Sequence, residues 1–250
     1  MAMNMVKAAD NILKTKETVR GSNFRYERKF IFVSGYLEDL IEILYLNSFG
    51  FLEIYERRQV NNVYFDDNQL NFYKQNVSGV GKREKYRLRW YGDKFSEIAN
   101  PTIEIKKKFG EVGDKISFKL NSFNYNLDSG NARELQQLAI EALHGDDSLA
   151  NNLIRLNPTL YNSYERRYFL SACEKYRVTL DYNQQFYNPV FDHYRESIKH
   201  IDERIVVLEL KYDMEHDFEA RKIPQQFSSR VSRNSKYVQG IDLINERTLF

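Results

Sequence analysis

The sequence predicts an α+β fold: a closed eight-stranded antiparallel barrel that encloses a tunnel, with helices packed on the outside. Three observations lead there. Eight segments read as strands joined by mostly short connections, which favours antiparallel pairing. Several of these strands carry charged residues two apart with greasy residues between them, so each has a charged side and an oily side. The charged sides hold far more cations than anions. A ring with those sides turned inward would give the cations one shared purpose.

The elements follow in order. Residues 1–22 are polar and read as an N-terminal tail. FRYERKFIF (24–32) is the first strand. YLEDLIEILYLNSF (36–49) places Leu37, Leu40, Ile41 and Leu44 at helical spacing, and Gly50 stops it. RQVNNVYFDD (58–67) and REKYRLRWYG (83–92) are the second and third strands. TIEIKKKFG (102–110) and KISFKL (115–120) form a hairpin across a Gly-containing turn. Two helices follow, 131–145 and 147–156. The last three strands are 160–171, 175–187 and 204–213, with a polar excursion at 188–203. From Asp217 the chain reads as a mixed, helical C-terminus able to plug one end of a tunnel. With no linker and no low-complexity block, residues 23–250 form one domain.

Composition narrows the function. Hydrophobic residues make up 42% and charged residues 29%, as in a soluble globular chain. The net charge is only +2, so a strong basic field must come from local arrangement. Nucleic acid is disfavoured as a partner on the same ground, and because the aromatic residues fall on the strand face opposite the cations. The single cysteine, Cys173, sits at a hairpin turn, excludes an internal disulfide and fits a reducing compartment. The four histidines lack metal-ligand spacing. No signal peptide and no run of ~20 apolar residues is present, so the expectation is a cytoplasmic protein with no direct membrane insertion, which a membrane-protein partner could still recruit.

The charged rows carry the chemistry. Glu-x-Lys occurs at Glu27/Lys29, Glu104/Lys106 and Glu209/Lys211, Arg-x-Arg at Arg87/Arg89, and two later strands bring Arg166 and Arg177. A half-buried sheet with a solvated charged face explains any one strand. It explains the set less well, because seven cations stand against three anions. Crowded cations in a lumen call for a polyanion, and the arginine fork matches phosphate by binding two oxygens at once. The few glutamates are hard oxygen ligands of the kind that hold Mg²⁺ or Mn²⁺ beside phosphate.

YERKF (26–30), VYFDD (63–67), KYRLRWYG (85–92), TIEIKKK (102–108), YERRYF (164–169), YRVTLD (176–181), LELK (208–211) and NSKYVQG (234–240), in this order, resemble the VTC domain. That is the catalytic domain of the vacuolar transporter chaperone complex and its stand-alone bacterial relatives, among the triphosphate tunnel metalloenzymes. The resemblance implies an ATP-dependent polyphosphate polymerase that uses Mn²⁺ or Mg²⁺. By motif, it assigns phosphate binding to Lys29, Arg87, Arg89, Lys106, Arg166 and Arg177, with Lys115, Lys236 and Lys211 as further contacts. Arg87, Arg89, Lys106, Arg166 and Arg177 would also carry the transfer. Glu209 matches the metal ligand, with Glu27 and Glu104 as lesser candidates. Lys85 and Lys108 share the parity and are expected at a tunnel mouth. The implied partners are ATP and inorganic polyphosphate, pyrophosphate or triphosphate. A triphosphatase, or a module that binds polyphosphate or nucleotide without turnover, would use the same residues.

Overall fold

The computed structural model describes residues 25–93, 98–110, 112–121, 123, 125, 131–143, 147–189, 199–202 and 204–246. The expected tail, 1–22, and most of the 188–203 excursion lie outside them. Strands β1 (Arg25–Val33), β2 (Leu52–Asp66), β3 (Lys82–Tyr91), β4 (Thr102–Phe109), β5 (Val112–Lys119), β6 (Asn157–Leu170), β7 (Arg177–Tyr187), β8 (Lys199–Asp202) and β9 (Ile205–Asp213) form one antiparallel sheet. The order is β6-β2-β3-β4-β5-β1-β9-β7-β8, and β7 also pairs with β6, so eight strands run in a ring. The short β8 extends the sheet from the far half of β7.

Closure is weaker than expected along one seam. β1 meets β5 at a single pair, Arg25 with Gly113. The rest of that β1 edge is taken by the chain near Val231: Phe30 bridges Val231, and the Ser232 amide donates to the Lys29 carbonyl at 2.8 Å. A returning segment therefore satisfies backbone groups that a fully zipped barrel would pair between strands.

The oily rows face outward under helices. α1 (Leu37–Leu46) seats Leu40, Ile41 and Leu44 over Phe30, Val178, Leu180, Val206, Leu208 and Leu210 of β1, β7 and β9. α3 (Ala132–Glu141) and α4 (Asp147–Ile154) cover Leu88, Trp90, Ile103 and Ile105 of β3 and β4. Asn131 caps α3 by accepting from the Glu134 amide at 2.9 Å. Burying such rows removes apolar surface from water at ~25 cal/mol per Å² and is the main force holding the helices on.

Two further features, both near β2, differ from the sequence reading. β2 begins at Leu52, not Arg58, because bulges near Tyr55 break the period of two on which strand recognition depends. α2 (Asn71–Val77) is an additional helix whose first amides are held by VYFDD. Asp66 accepts from Phe72 and Tyr73, each at 2.9 Å, and Asp67 from Asn71 at 3.0 Å. Asp66 also accepts from the Tyr237 hydroxyl at 2.6 Å.

The C-terminal region is less helical than expected after Asp217. A short helix, α5 (Asp217–Ala220), is followed by a 3₁₀ turn at Ile223–Gln226 containing Pro224, and only α6 (Lys236–Glu246) is long. Tyr237, Ile241 and Ile244 of α6 pack on Tyr64, Leu160 and Phe186. Those three belong to the rows that point into the ring, so α6 lies across one end of it.

Candidate functional site

Registers bring the charged rows together. Arg87 stands across from Glu104 on β4 and Tyr64 on β2, and Arg89 across from Asn62. Arg166 of β6 faces Asp181 of β7, and Lys29 of β1 faces Glu209 of β9. Because side chains alternate, these residues share the inner face of the ring.

The two neighbouring arginines are reconciled by a carboxylate. Glu104 takes Arg87 at 2.5 and 2.8 Å, Lys115 at 3.0 Å and Arg89 at 3.7 Å. Arg89, only 8% exposed, also donates to Asn62 Oδ1 at 2.8 Å and to the Tyr164 hydroxyl at 3.1 Å. A second cluster centres on Asp181 and Glu209. Arg166 grips Asp181 with two contacts of 2.5 and 2.6 Å, and Lys236, the first residue of α6, reaches the same carboxylate at 2.5 Å. Glu209 meets Lys211 at 2.8 Å, Lys29 at 2.9 Å, Arg166 at 3.4 Å and Lys236 at 3.9 Å. Glu27 extends the second cluster, touching Lys106 at 2.8 Å and Lys29 at 3.3 Å.

Burial alone would raise the carboxyl pKa values. The cations override it and hold all four groups below the ordinary range: Lys106 and Lys29 act on Glu27, Arg87 and Arg89 on Glu104, Arg166 and Lys236 on Asp181, and Lys211 and Lys29 on Glu209. Tyr164 is shifted likewise. Burial raises its phenol, and Arg166 and Arg89 bring it below its usual value.

Most of the expected residues thus converge. Lys29, Lys106, Arg166, Lys211, Lys236, Glu27 and Glu209 form one ion-pair group and Arg87, Arg89, Lys115 and Glu104 another; Tyr164 links the two, accepting from Arg89 and lying under Arg166 at 5.3 Å. Arg177 joins neither: it is exposed at the start of β7, opposite Lys211. Lys85 lines the same cleft as Lys108 and donates to the Ser235 hydroxyl at 2.8 Å. Burial pushes its amine well below the usual lysine range, and Lys106 and Lys29 push it further. Lys108 lines a cleft of about 1270 Å³ beside Lys85, Lys106, Arg83 and Arg233.

Asp181 is the main residue that sequence reasoning missed. Its signal was present in YRVTLD, on the same strand face as Arg177, but its partner Lys236 lies 55 residues away. Asn62, Tyr164 and Ser235 are neutral and carry no charge pattern to betray them.

Could the carboxylates hold a divalent cation? Their oxygens are hard donors that suit Mg²⁺ or Mn²⁺. Among the described residues, no group of three His, Cys, Asp or Glu gathers into a metal cage. Such ions are commonly bound by one or two carboxylates, with phosphate oxygens and water completing the shell. Glu209, with Glu27 beyond Lys29, suits that mode by its chemistry, but its oxygens are taken up here by Lys29, Lys211, Arg166 and Lys236, as those of Glu104 are by Arg87, Arg89 and Lys115.

The VTC domain family profile matches residues 12–245, and the chain belongs to that family. An X-ray structure from Vibrio parahaemolyticus, provisionally labelled an adenylate cyclase, is 12% identical over 87% of this chain and 98% of its own, with a TM-score of 0.49. A likeness of that size carries no inference about activity. No curated protein matches the chain. No helix among the described residues is long and apolar enough to cross a membrane.

Proposed function

We propose that this chain is a polyphosphate polymerase, which transfers the γ-phosphate of ATP to the end of a growing inorganic polyphosphate chain. One observation carries the reading. Among the described residues, nine cations — Lys29, Lys85, Arg87, Arg89, Lys106, Lys115, Arg166, Lys211 and Lys236 — gather around four carboxylates, Glu27, Glu104, Asp181 and Glu209. Such an excess is costly without a polyanion, and family membership supports a triphosphate as that polyanion.

In this mechanism the arginine forks of Arg87, Arg89 and Arg166 take phosphate oxygens, and Glu104 and Asp181 keep those heads aimed when no substrate is present. The lysines spread compensating charge along the chain. The ionised terminal oxygen of the acceptor attacks the γ-phosphorus in line. A new P–O bond forms, the bond to the β-bridging oxygen breaks, and ADP leaves with the electron pair. The nucleophile carries no proton, so no general base is required. Catalysis is positioning and charge neutralisation. A divalent ion, when bound at Glu209, supplies further neutralisation of phosphate charge. Helix α6 lies at one end of the ring, borders the cleft lined by Lys29, Lys85 and Lys106, and delivers Lys236 to Asp181.

The test is direct. Incubation with ATP and Mn²⁺ should give ADP and long phosphate chains on a gel. ADP with free phosphate alone would make the protein a triphosphatase, and binding without ADP release a carrier of polyphosphate or nucleotide.

A further inference from the structure

We infer that the ring end remote from α6 carries a stacking platform for the nucleoside of the triphosphate, built from Arg58, Tyr55, Tyr91 and Tyr168. The inference rests on the proposed triphosphate site and extends it from the phosphates to the base.

The platform grows out of the phosphate network by contact. Arg166, gripped by Asp181, lies over the ring of Tyr168 at 5.8 Å. Arg58 lies over that same ring at 5.5 Å, over Tyr55 at 4.2 Å and over Tyr91 at 5.7 Å. Tyr55 and Tyr168 meet edge to face at 5.6 Å. The registers put the group on the inner rows: Arg58 pairs with Arg166, and Val60 pairs with both Tyr91 and Tyr164. One step further along β3 from buried Arg89 lies Tyr91, so the rows change from phosphate-binding forks to aromatic faces as they leave the ring.

Exposure changes over the same distance. Arg166 is 7% exposed, whereas Tyr91 is 44% and Tyr55 49% exposed. Large aromatic faces left open beside a buried cation cluster offer π-surface to a ligand that already has its anionic part inside. Arg58 completes the arrangement. Among the described residues it makes no ion pair, its planar head is held by rings alone, and a guanidinium stacks on a nucleobase as well as on tyrosine. Stacking reads the π-face rather than hydrogen-bonding edges, so the ligand class is a nucleoside triphosphate with little discrimination between purine bases.

The experiment compares two ligands on the full chain by calorimetry in Mg²⁺: ATP, which has a base, and inorganic tripolyphosphate, which does not. Tyr91→Ala combined with Tyr55→Ala should weaken ATP about tenfold, within the range measured for one stacked base, and leave tripolyphosphate unchanged. Tyr91→Phe should retain ATP affinity, since the ring remains. Equal losses for both ligands, or no loss for either, overturn the platform while leaving the triphosphate site standing. Wild-type protein that binds neither ligand overturns both.

Discussion

At the residue scale, the site turns on carboxylates placed between like charges. Glu104 lets Arg87 and Arg89 lie side by side, and Asp181 does the same for Arg166 and Lys236. Removing Arg89 leaves Glu104 with Arg87 and Lys115, so no carboxylate is stranded. Arg89→Ala should therefore fold, and should lower the rate of ADP release at least about 10²-fold, the scale of losing one preorganised donor to a developing anion. A folded variant with an unchanged rate would remove this strand from the site. Glu209→Gln tests a different role. It should shift the Mn²⁺ titration of activity to higher concentration, and an identical titration would place the ligand elsewhere.

The alternation of period two made the arginine, lysine and glutamate positions legible, because parity within each strand sets its charged residues, such as Arg87 and Arg89, on the face opposite its oily ones. It failed where the period breaks. Arg58 follows the bulges of β2, and its partnership with Tyr55 and Tyr168 is invisible to a count of alternate residues. Asp66 was read only as part of a family motif, yet its carboxylate ties α2 and α6 to the end of the ring.

At the element scale, α6 is the piece most sensitive to packing. Gly240 sits against β6 and β7, where an added Cβ would lie 2.5 Å from Leu160 Cδ2 and 2.7 Å from Phe186 Cδ1. Two effects compete in Gly240→Ala. Helix propensity favours alanine by about 1 kcal/mol. Overpacking a tight contact costs about 1–3 kcal/mol. At these separations the contact wins, so the melting temperature should fall. A rise would mean that Leu160 and Phe186 yield at little cost. The same helix carries Lys236 to Asp181, so its seating and the charge network are coupled.

At the scale of the whole molecule, the ring stores its charge balance as pH dependence. Glu27, Glu104, Asp181 and Glu209 are all held below the ordinary carboxylate range. A folded pKa below the unfolded one means that the unfolded chain binds protons first as pH falls. The stability these groups contribute is complete above the unfolded value of about 4 and is lost as pH drops through the folded values. Melting temperature should thus fall from about pH 4 downward in the ligand-free protein, as circular dichroism can measure. A melt that is flat down to pH 2 would mean that the pairs add nothing to the fold.

The sequence by itself determined that the strands have two unlike faces and that one face is crowded with cations, because alternation along a strand is a local property of the backbone. It also carried the helices that cover the oily face. Only the tertiary structure decided which face curls inward, since parity separates two faces without saying which is concave. The ring also chose the partners across it: Lys29 with Glu209, Lys236 with Asp181, and the segment at Val231 in place of a full β1–β5 seam. Those choices depend on registers between strands far apart in the chain, which packing and hydrogen bonding settle together.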